Sequence, residues 1–184
     1  MTEDSRIRLR LRVALKLMAL TGLLLFALLI LRALFSPVGG DVRLPLEVDL
    51  RGIEPGEHQK LTWNGRRILI LHRDAAMLAA LPEADVLYDP NSRFDRRPRG
   101  FTERHRGRVP EWLVVYAEST DLGCDLDVIP PPAAPEDWAG GLRDRCRGGR
   151  YDFAGRVYKG QPAMRNLEIP PYRLETDRIV LGAD

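Results

Sequence analysis

The sequence predicts a β-rich domain carried on one N-terminal membrane-spanning helix. Three observations lead there. Residues 17–31 form an uncharged, mainly apolar run, Asn64-Gly65 sits between two stretches of β-forming residues, and short β-branched runs recur at 112–116 and 178–181. A chain of 184 residues has room for one compact domain with attachments. Its formal net charge of +2 gives no general electrostatic case for a nucleic-acid partner.

The helix comes first. Residues 13–35 carry only Lys16 and Arg32 as charges. At about 1.5 Å per residue, some 20 residues cross a hydrocarbon core, and long basic side chains at the ends reach back to the interface. Arg6, Arg8, Arg10 and Arg12 precede this stretch. The positive-inside rule then puts residues 1–12 in the cytoplasm and the domain on the far side. A cleaved signal peptide is the alternative. It would be shorter and end in a small-x-small site, which Leu31-Arg32-Ala33-Leu34-Phe35 does not offer. Residues 36–46, opening with Ser36-Pro37-Val38-Gly39-Gly40, have the composition of a flexible neck. Residues 47–184 form the extracytoplasmic domain.

Within the domain, Leu61-Thr62-Trp63 and Arg67-Ile68-Leu69-Ile70 flank Asn64-Gly65, a two-residue hairpin signal because both turn residues need positive φ. Residues 74–81 suit one short helix. The run at 112–116 reads as a buried strand, and Thr176-Asp177 separates two segments that form a closing hairpin. Residues 93–108 hold Arg93, Arg96, Arg97, Arg99, Arg104, Arg106 and Arg108, with His105, against Asp95 and Glu103. That run reads as a docking surface for an acidic partner or anionic lipid heads, or as a solvated insertion, the usual fate of charge runs. Pro130-Pro131-Pro132-Ala133-Ala134-Pro135 reads as a stiff polyproline spacer. His58, His72 and His105 lack metal spacing and read as surface or strand-edge residues.

Two loops carry the most information. Ser119-Thr120-Asp121-Leu122-Gly123-Cys124 and Asp144-Arg145-Cys146-Arg147-Gly148-Gly149 resemble the two cluster-binding loops of Rieske iron–sulfur proteins, C-T-H-L-G-C and C-P-C-H-G-S. The resemblance extends to Val48-Asp49-Leu50, Trp63-Asn64-Gly65-Arg66-Arg67, Pro110-Glu111-Trp112, Tyr151-Asp152-Phe153 and Gly160-Gln161-Pro162-Ala163-Met164, and covers roughly residues 45–182 plus the anchor. The chain is similar to the Rieske subunit of cytochrome bc complexes (ubiquinol–cytochrome c reductase). That similarity implies an all-β fold, an antiparallel β-sandwich on a single transmembrane α-helix, with the cluster-loop equivalents at 119–124 and 144–149.

In that family each loop gives one Cys and one His to iron, and the two remaining Cys form a disulfide. The resemblance therefore places Ser119, Asp121, Asp144 and Arg147 at the ligand positions and Cys124 and Cys146 at the disulfide positions. Two cysteines in an oxidising compartment also favour a bridge over a metal site or two separate thiols. A Rieske centre needs two thiolates and two imidazoles. Ser119 offers a hydroxyl, Asp121 and Asp144 offer hard oxygens suited to calcium, magnesium or manganese, and Arg147 is a cation without a lone pair. No cofactor, metal or catalytic residue is therefore expected. The resemblance has the two histidine positions converge, so Asp121 and Arg147 would face each other as a cluster-replacing ion pair, with hydrogen bonds from Ser119 and Asp144. The rival reading is loop tips that drifted without constraint. Tyr151 matches a tyrosine that bonds a ligand cysteine, so here it would meet Asp144 or solvent. Leu122 matches the tip residue that docks on cytochrome b. Rieske subunits of bacteria commonly use twin-arginine export, and no adjacent arginine pair precedes the helix.

The expected function is a non-redox, non-enzymatic subunit of a cytochrome bc-type respiratory complex or supercomplex, with a structural or docking role. Its partners would be cytochrome b and cytochrome c-type subunits. It would sit in the bacterial inner membrane, N-terminus in the cytoplasm and domain in the periplasm. Two alternatives compete: electron transfer through an unorthodox metal at Asp121 and Asp144, and a free-standing anchored binding module using the arginine-rich loop.

Overall fold

The computed structural model describes residues 3–35, 44–95 and 100–183. Helix α1 (Glu3–Phe35) runs unbroken for 33 residues and so takes in much of the basic segment assigned to residues 1–12. Its stretch Arg10–Arg32, whose most apolar 18 residues have a mean hydropathy of 2.5, is long and apolar enough to cross a membrane. Thr21 turns its hydroxyl back onto the Leu17 carbonyl at 2.9 Å, which removes a free polar group from that stretch. The helix and the domain beginning at Arg43 are separate compact units. Residues 36–43 of the expected neck lie outside the described residues.

Nine strands are described: β1 (Leu46–Asp49), β2 (His58–Trp63), β3 (Arg66–His72), β4 (Trp112–Tyr116), β5 (Leu126–Ile129), β6 (Gly141–Asp144), β7 (Arg150–Tyr151), β8 (Tyr172–Leu174) and β9 (Arg178–Leu181). Every pairing is antiparallel, in three three-stranded sheets ordered β1-β9-β8, β2-β3-β4 and β5-β6-β7. The all-β domain on an N-terminal helix is thus present, with its strands divided among three sheets. Asn64 (φ 48°) and Gly65 (φ 76°) both take positive φ, the turn that lets Trp63 pair with Arg66 and fixes the β2–β3 register. The last hairpin closes through the Glu175 N–H bond to the Arg178 carbonyl, 2.9 Å. The short helix α2 (Ala75–Ala79) starts where Asp74 caps it, accepting the Met77 N–H at 2.7 Å.

The core explains the central strands. Ile68, Leu69, Ile70 and Leu71 are all fully buried, so β3 is covered on both faces and reads as a continuous apolar run, not an alternating one. Leu113, Val114 and Val115 do the same for β4.

Three features depart from the sequence reading. Residues Pro131–Ala133 close a 3-10 turn through the Ala133 N–H bond to the Pro130 carbonyl, 3.0 Å, so the proline run is not a uniformly extended spacer. The proline-fixed φ suits a 3-10 turn as well as an extended helix. In the arginine-rich run, Arg96, Arg97 and Arg99 lie outside the described residues. Arg106 is fully buried and neither solvated nor available for docking. Its guanidinium donates to the carbonyls of Ala154, Gly155 and Leu167 and pairs with Asp95 at 2.7 Å. Arg108 likewise turns inward, donating to the Tyr172 carbonyl at 2.9 Å. His72 is packed, stacked on Trp112 with ring centroids 4.1 Å apart and Nδ1 2.7 Å from the Ile53 carbonyl.

Arg73 shows the same use of a guanidinium, which five donors in a rigid fork make possible. It bonds the carbonyls of His105, Phe153 and Trp112, and burial pushes its pKa down to about 10. Arg156 and Asp152 form a second buried ionic contact, beside that of Arg106 with Asp95, at 2.7 Å. Arg73 and Arg106 between them satisfy the loop carbonyls of His105, Phe153, Ala154, Gly155 and Leu167, and Arg73 also that of Trp112 in β4, and so tie the irregular segments to the sheet.

Candidate functional site

The two loops are built alike. Loop 119–124 follows β4, and the antiparallel bridge between Glu118 and Asp125 closes its base. Inside it the Ser119 N–H bonds the Cys124 carbonyl at 2.8 Å, and the Gly123 N–H bonds the Ser119 carbonyl at 3.0 Å. Loop 144–149 joins β6 to β7. There the Asp144 N–H bonds the Gly149 carbonyl at 2.9 Å, and the Gly148 N–H bonds the Asp144 carbonyl at 3.0 Å. Gly123 (φ 69°) and Gly148 (φ 71°) make the same left-handed step in each loop, which a side chain would strain. The Arg145 N–H reaches across to the Asp125 carbonyl at 3.1 Å, and Cys124 and Cys146 form a disulfide with Cα atoms 6.1 Å apart.

Two further contacts span the loops, one deep and one shallow. The deep one joins Ser119 and Asp144, which are 4% and 2% exposed. The Ser119 hydroxyl donates to Asp144 Oδ2 at 3.1 Å, while Asp144 Oδ1 accepts the Cys146 N–H at 2.7 Å. The Tyr151 hydroxyl lies 3.3 Å from Ser119 Oγ and accepts the Thr120 N–H at 3.2 Å. Its partners are therefore Ser119 and Thr120, not Asp144, whose Oδ2 Ser119 already engages. The shallow contact joins Arg147 Nη1 to Asp121 Oδ2 at 3.0 Å, with the arginine side chain 53% exposed and the aspartate 16%. Ser119, Asp121, Asp144 and Arg147 thus each meet a partner in the opposite loop.

An ionic belt holds the base of the loops. Asp125 lies 3.1 Å from Lys60, 3.4 Å from Arg67 and 3.6 Å from Arg145, and Asp127 is 2.6 Å from Arg145. Lys60 also donates to the Leu126 carbonyl. Burial raises the Asp125 pKa, but the hydrogen bond and charge of Lys60 outweigh it and hold the carboxyl below its ordinary value. The Arg145 hydrogen bond does the same for Asp127. At the tip, Leu122 and Met164 are exposed. Thr120 Oγ1 donates to the Arg165 carbonyl at 2.6 Å and so ties the first loop to the segment carrying Met164.

A relative from Allochromatium vinosum, a ubiquinol–cytochrome c reductase iron–sulfur subunit, is 37% identical over 145 residues, 76% of this chain and 70% of the relative. The subunit of the same description from Blastochloris viridis is 37% identical over 142 residues, 76% of this chain and 71% of its own length. The chain belongs to the Rieske iron–sulfur subunit family. A mitochondrial cytochrome b-c1 complex Rieske subunit from Solanum tuberosum is 39% identical over 140 residues, 74% of this chain and 46% of that longer protein. No family model matches the chain. Membership in the Rieske family, together with the apolar span of α1, makes this a membrane-anchored protein.

The residues that the resemblance places at the cluster-ligand positions, Ser119, Asp121, Asp144 and Arg147, do not fit an iron–sulfur cluster. They supply one hydroxyl, two carboxylates and one guanidinium, where the cluster takes thiolates and imidazoles. Sequence reasoning singled out Ser119, Asp121, Asp144 and Arg147 together, and the structure brings them together in two pairs. It missed the supporting contacts of Thr120, Lys60 and Arg165. Lys60 stands 65 positions before Asp125, and no local pattern connects residues that distant.

Proposed function

We propose that the chain is a cluster-free, non-redox subunit of a cytochrome bc-type respiratory complex or supercomplex, acting through shape and attachment. The observation that supports this reading is the pairing of all four former ligand positions: Ser119 with Asp144 and Asp121 with Arg147. In this reading the two pairs fill the space that the family gives to its cofactor, and the disulfide and the loop glycines keep the loops in their family shape. The exposed Leu122 keeps an apolar tip for docking on cytochrome b, with a cytochrome c-type subunit as the further neighbour. The basic N-terminus would lie in the cytoplasm and the domain in the periplasm of a bacterial inner membrane.

The test is purification of the tagged full chain in mild detergent. Iron and acid-labile sulfide should be absent, no iron–sulfur signal should appear by electron paramagnetic resonance, and haem proteins should co-purify. Stoichiometric iron and sulfide would overturn the non-redox assignment. Recovery of the chain without cytochromes would overturn membership of the complex and favour a free-standing anchored module.

A further inference from the structure

We propose that reduction of the Cys124–Cys146 disulfide uncovers a zinc site formed by the two released thiolates and the Asp144 carboxylate. The ligand atoms of these three residues all lie within 4.8 Å of one another. Small side-chain movements bring such a set onto one tetrahedral ion with bonds of about 2.0–2.3 Å, leaving the fourth position to water. Two soft thiolates with one oxygen select zinc over calcium or magnesium.

The surrounding structure prepares this site without help from the sulfur–sulfur bond. The Ser119-to-Cys124 and Asp144-to-Gly149 backbone bonds hold each loop, and the Arg145-to-Asp125 bond holds one loop to the other. Cutting the disulfide leaves all of these in place. Asp144 is buried and oriented by the Cys146 N–H and the Ser119 hydroxyl, the kind of outer-shell support that fixes a metal-binding carboxylate. Cys146 is exposed and Cys124 half-buried, so a reductant can reach the bond.

The chemistry balances with an external dithiol. Its thiolate attacks one sulfur to form a mixed disulfide, and its second thiol resolves this. The dithiol loses two electrons and becomes a disulfide, while Cys124 and Cys146 become thiols. Zinc then displaces one proton from each thiol. The proposal rests on the cluster-free reading, since a cluster would occupy the same loops. Iron and sulfide in the untreated chain would sink that reading, whereas the outcomes below concern zinc alone.

The full chain in detergent would be reduced with a water-soluble phosphine, the phosphine removed without oxygen, and Zn²⁺ titrated against a chromophoric chelator. One zinc per chain is expected after reduction and none before. Co²⁺ in its place should give thiolate-to-cobalt charge-transfer absorption. Asp144→Asn should weaken zinc binding at least tenfold, and Asp137→Asn should leave it unchanged. Three outcomes would overturn the proposal: no zinc uptake by the reduced chain, equal uptake by the oxidised chain, or undiminished affinity in Asp144→Asn. Loss of the β-sheet circular dichroism signal on reduction would also overturn it, because the site depends on loops that stay folded.

Discussion

The two contacts that bridge the loops differ in their surroundings more than in their geometry. Ser119 and Asp144 meet at 3.1 Å out of water, whereas Asp121 and Arg147 meet at 3.0 Å with the guanidinium half in solvent. A buried donor or acceptor that loses its partner keeps the full cost of desolvation, roughly 1–3 kcal/mol. An exposed ion pair exchanges its partner for water and salt at little cost. Of the two side-chain pairs, the inner one therefore contributes more to the closure of the loops, and the outer one sets the charge of the tip. Similar distances do not mean similar weight.

Reinstating the family's donors gives the largest expected change. Ser119→Cys with Asp144→Cys returns thiolates to the buried positions, and Asp121→His with Arg147→His returns imidazoles to the outer ones. The fourfold variant should take up iron and acid-labile sulfide on reconstitution, and either pair alone should not. The backbone bonds of both loops and the left-handed Gly123 and Gly148 are still in place to receive it. Failure of the fourfold variant would show that the scaffold, and not only four side chains, has changed.

Next comes Asp144→Ala. It removes the buried acceptor of the Ser119 hydroxyl, leaving it only the Tyr151 hydroxyl, and the acceptor of the part-buried Cys146 N–H, so unfolding stability should fall by about 2–3 kcal/mol. Ser119→Ala removes one partner of the same contact and should cost less, about 1–2 kcal/mol. Denaturant titration of both variants checks the order. A loss below about 0.5 kcal/mol for Asp144→Ala, the range of ordinary surface substitutions, would reverse the ranking of the two pairs.

The β2–β3 and β8–β9 hairpins were legible in the sequence because their signals are local. Asn64-Gly65 demands a positive-φ turn wherever it occurs, and Thr176-Asp177 separates two segments that need no distant partner to be recognised. The pairing of the four loop residues came from the family pattern, since nothing local in two loops whose cysteines stand 22 positions apart states which side chains converge. Arg106 shows the limit of composition. It sits in a run of arginines whose average behaviour is solvation, yet it faces carbonyls from residues 154, 155 and 167, some 48 to 61 positions away. A charge run cannot say which member folds inward, because the acceptors that make burial affordable belong to other loops.

The ionic belt offers a smaller effect with a defined sign. Asp125 and Asp127 both have folded pKa values below their ordinary 3.8. A depressed carboxyl stabilises the fold above its unfolded pKa, and that contribution disappears as pH falls through the folded value. Stability should thus hold from neutral pH to about 4 and fall below it. The double variant Asp125→Asn with Asp127→Asn should show a shallower fall, read from unfolding midpoints across that window. An equally steep fall would assign the acid sensitivity to other carboxyls, such as Asp49, held at about 2 by its hydrogen bonds with Arg51.

The smallest effect belongs to the outer pair, and a double-mutant cycle isolates it. Arg147→Ala, Asp121→Ala and the combination should give a coupling of about 0.2–1 kcal/mol at low salt. Raising the ionic strength toward 1 M shortens the screening length to about 3 Å and should reduce that coupling toward zero. The cycle for Ser119 and Asp144 should be much less sensitive to salt, because screening barely reaches a buried contact. A large, salt-independent coupling between Asp121 and Arg147 would mean that the tip is drier than its exposure indicates. The outer pair would then share the load of closure, and the distinction between a structural inner contact and an electrostatic outer one would fail.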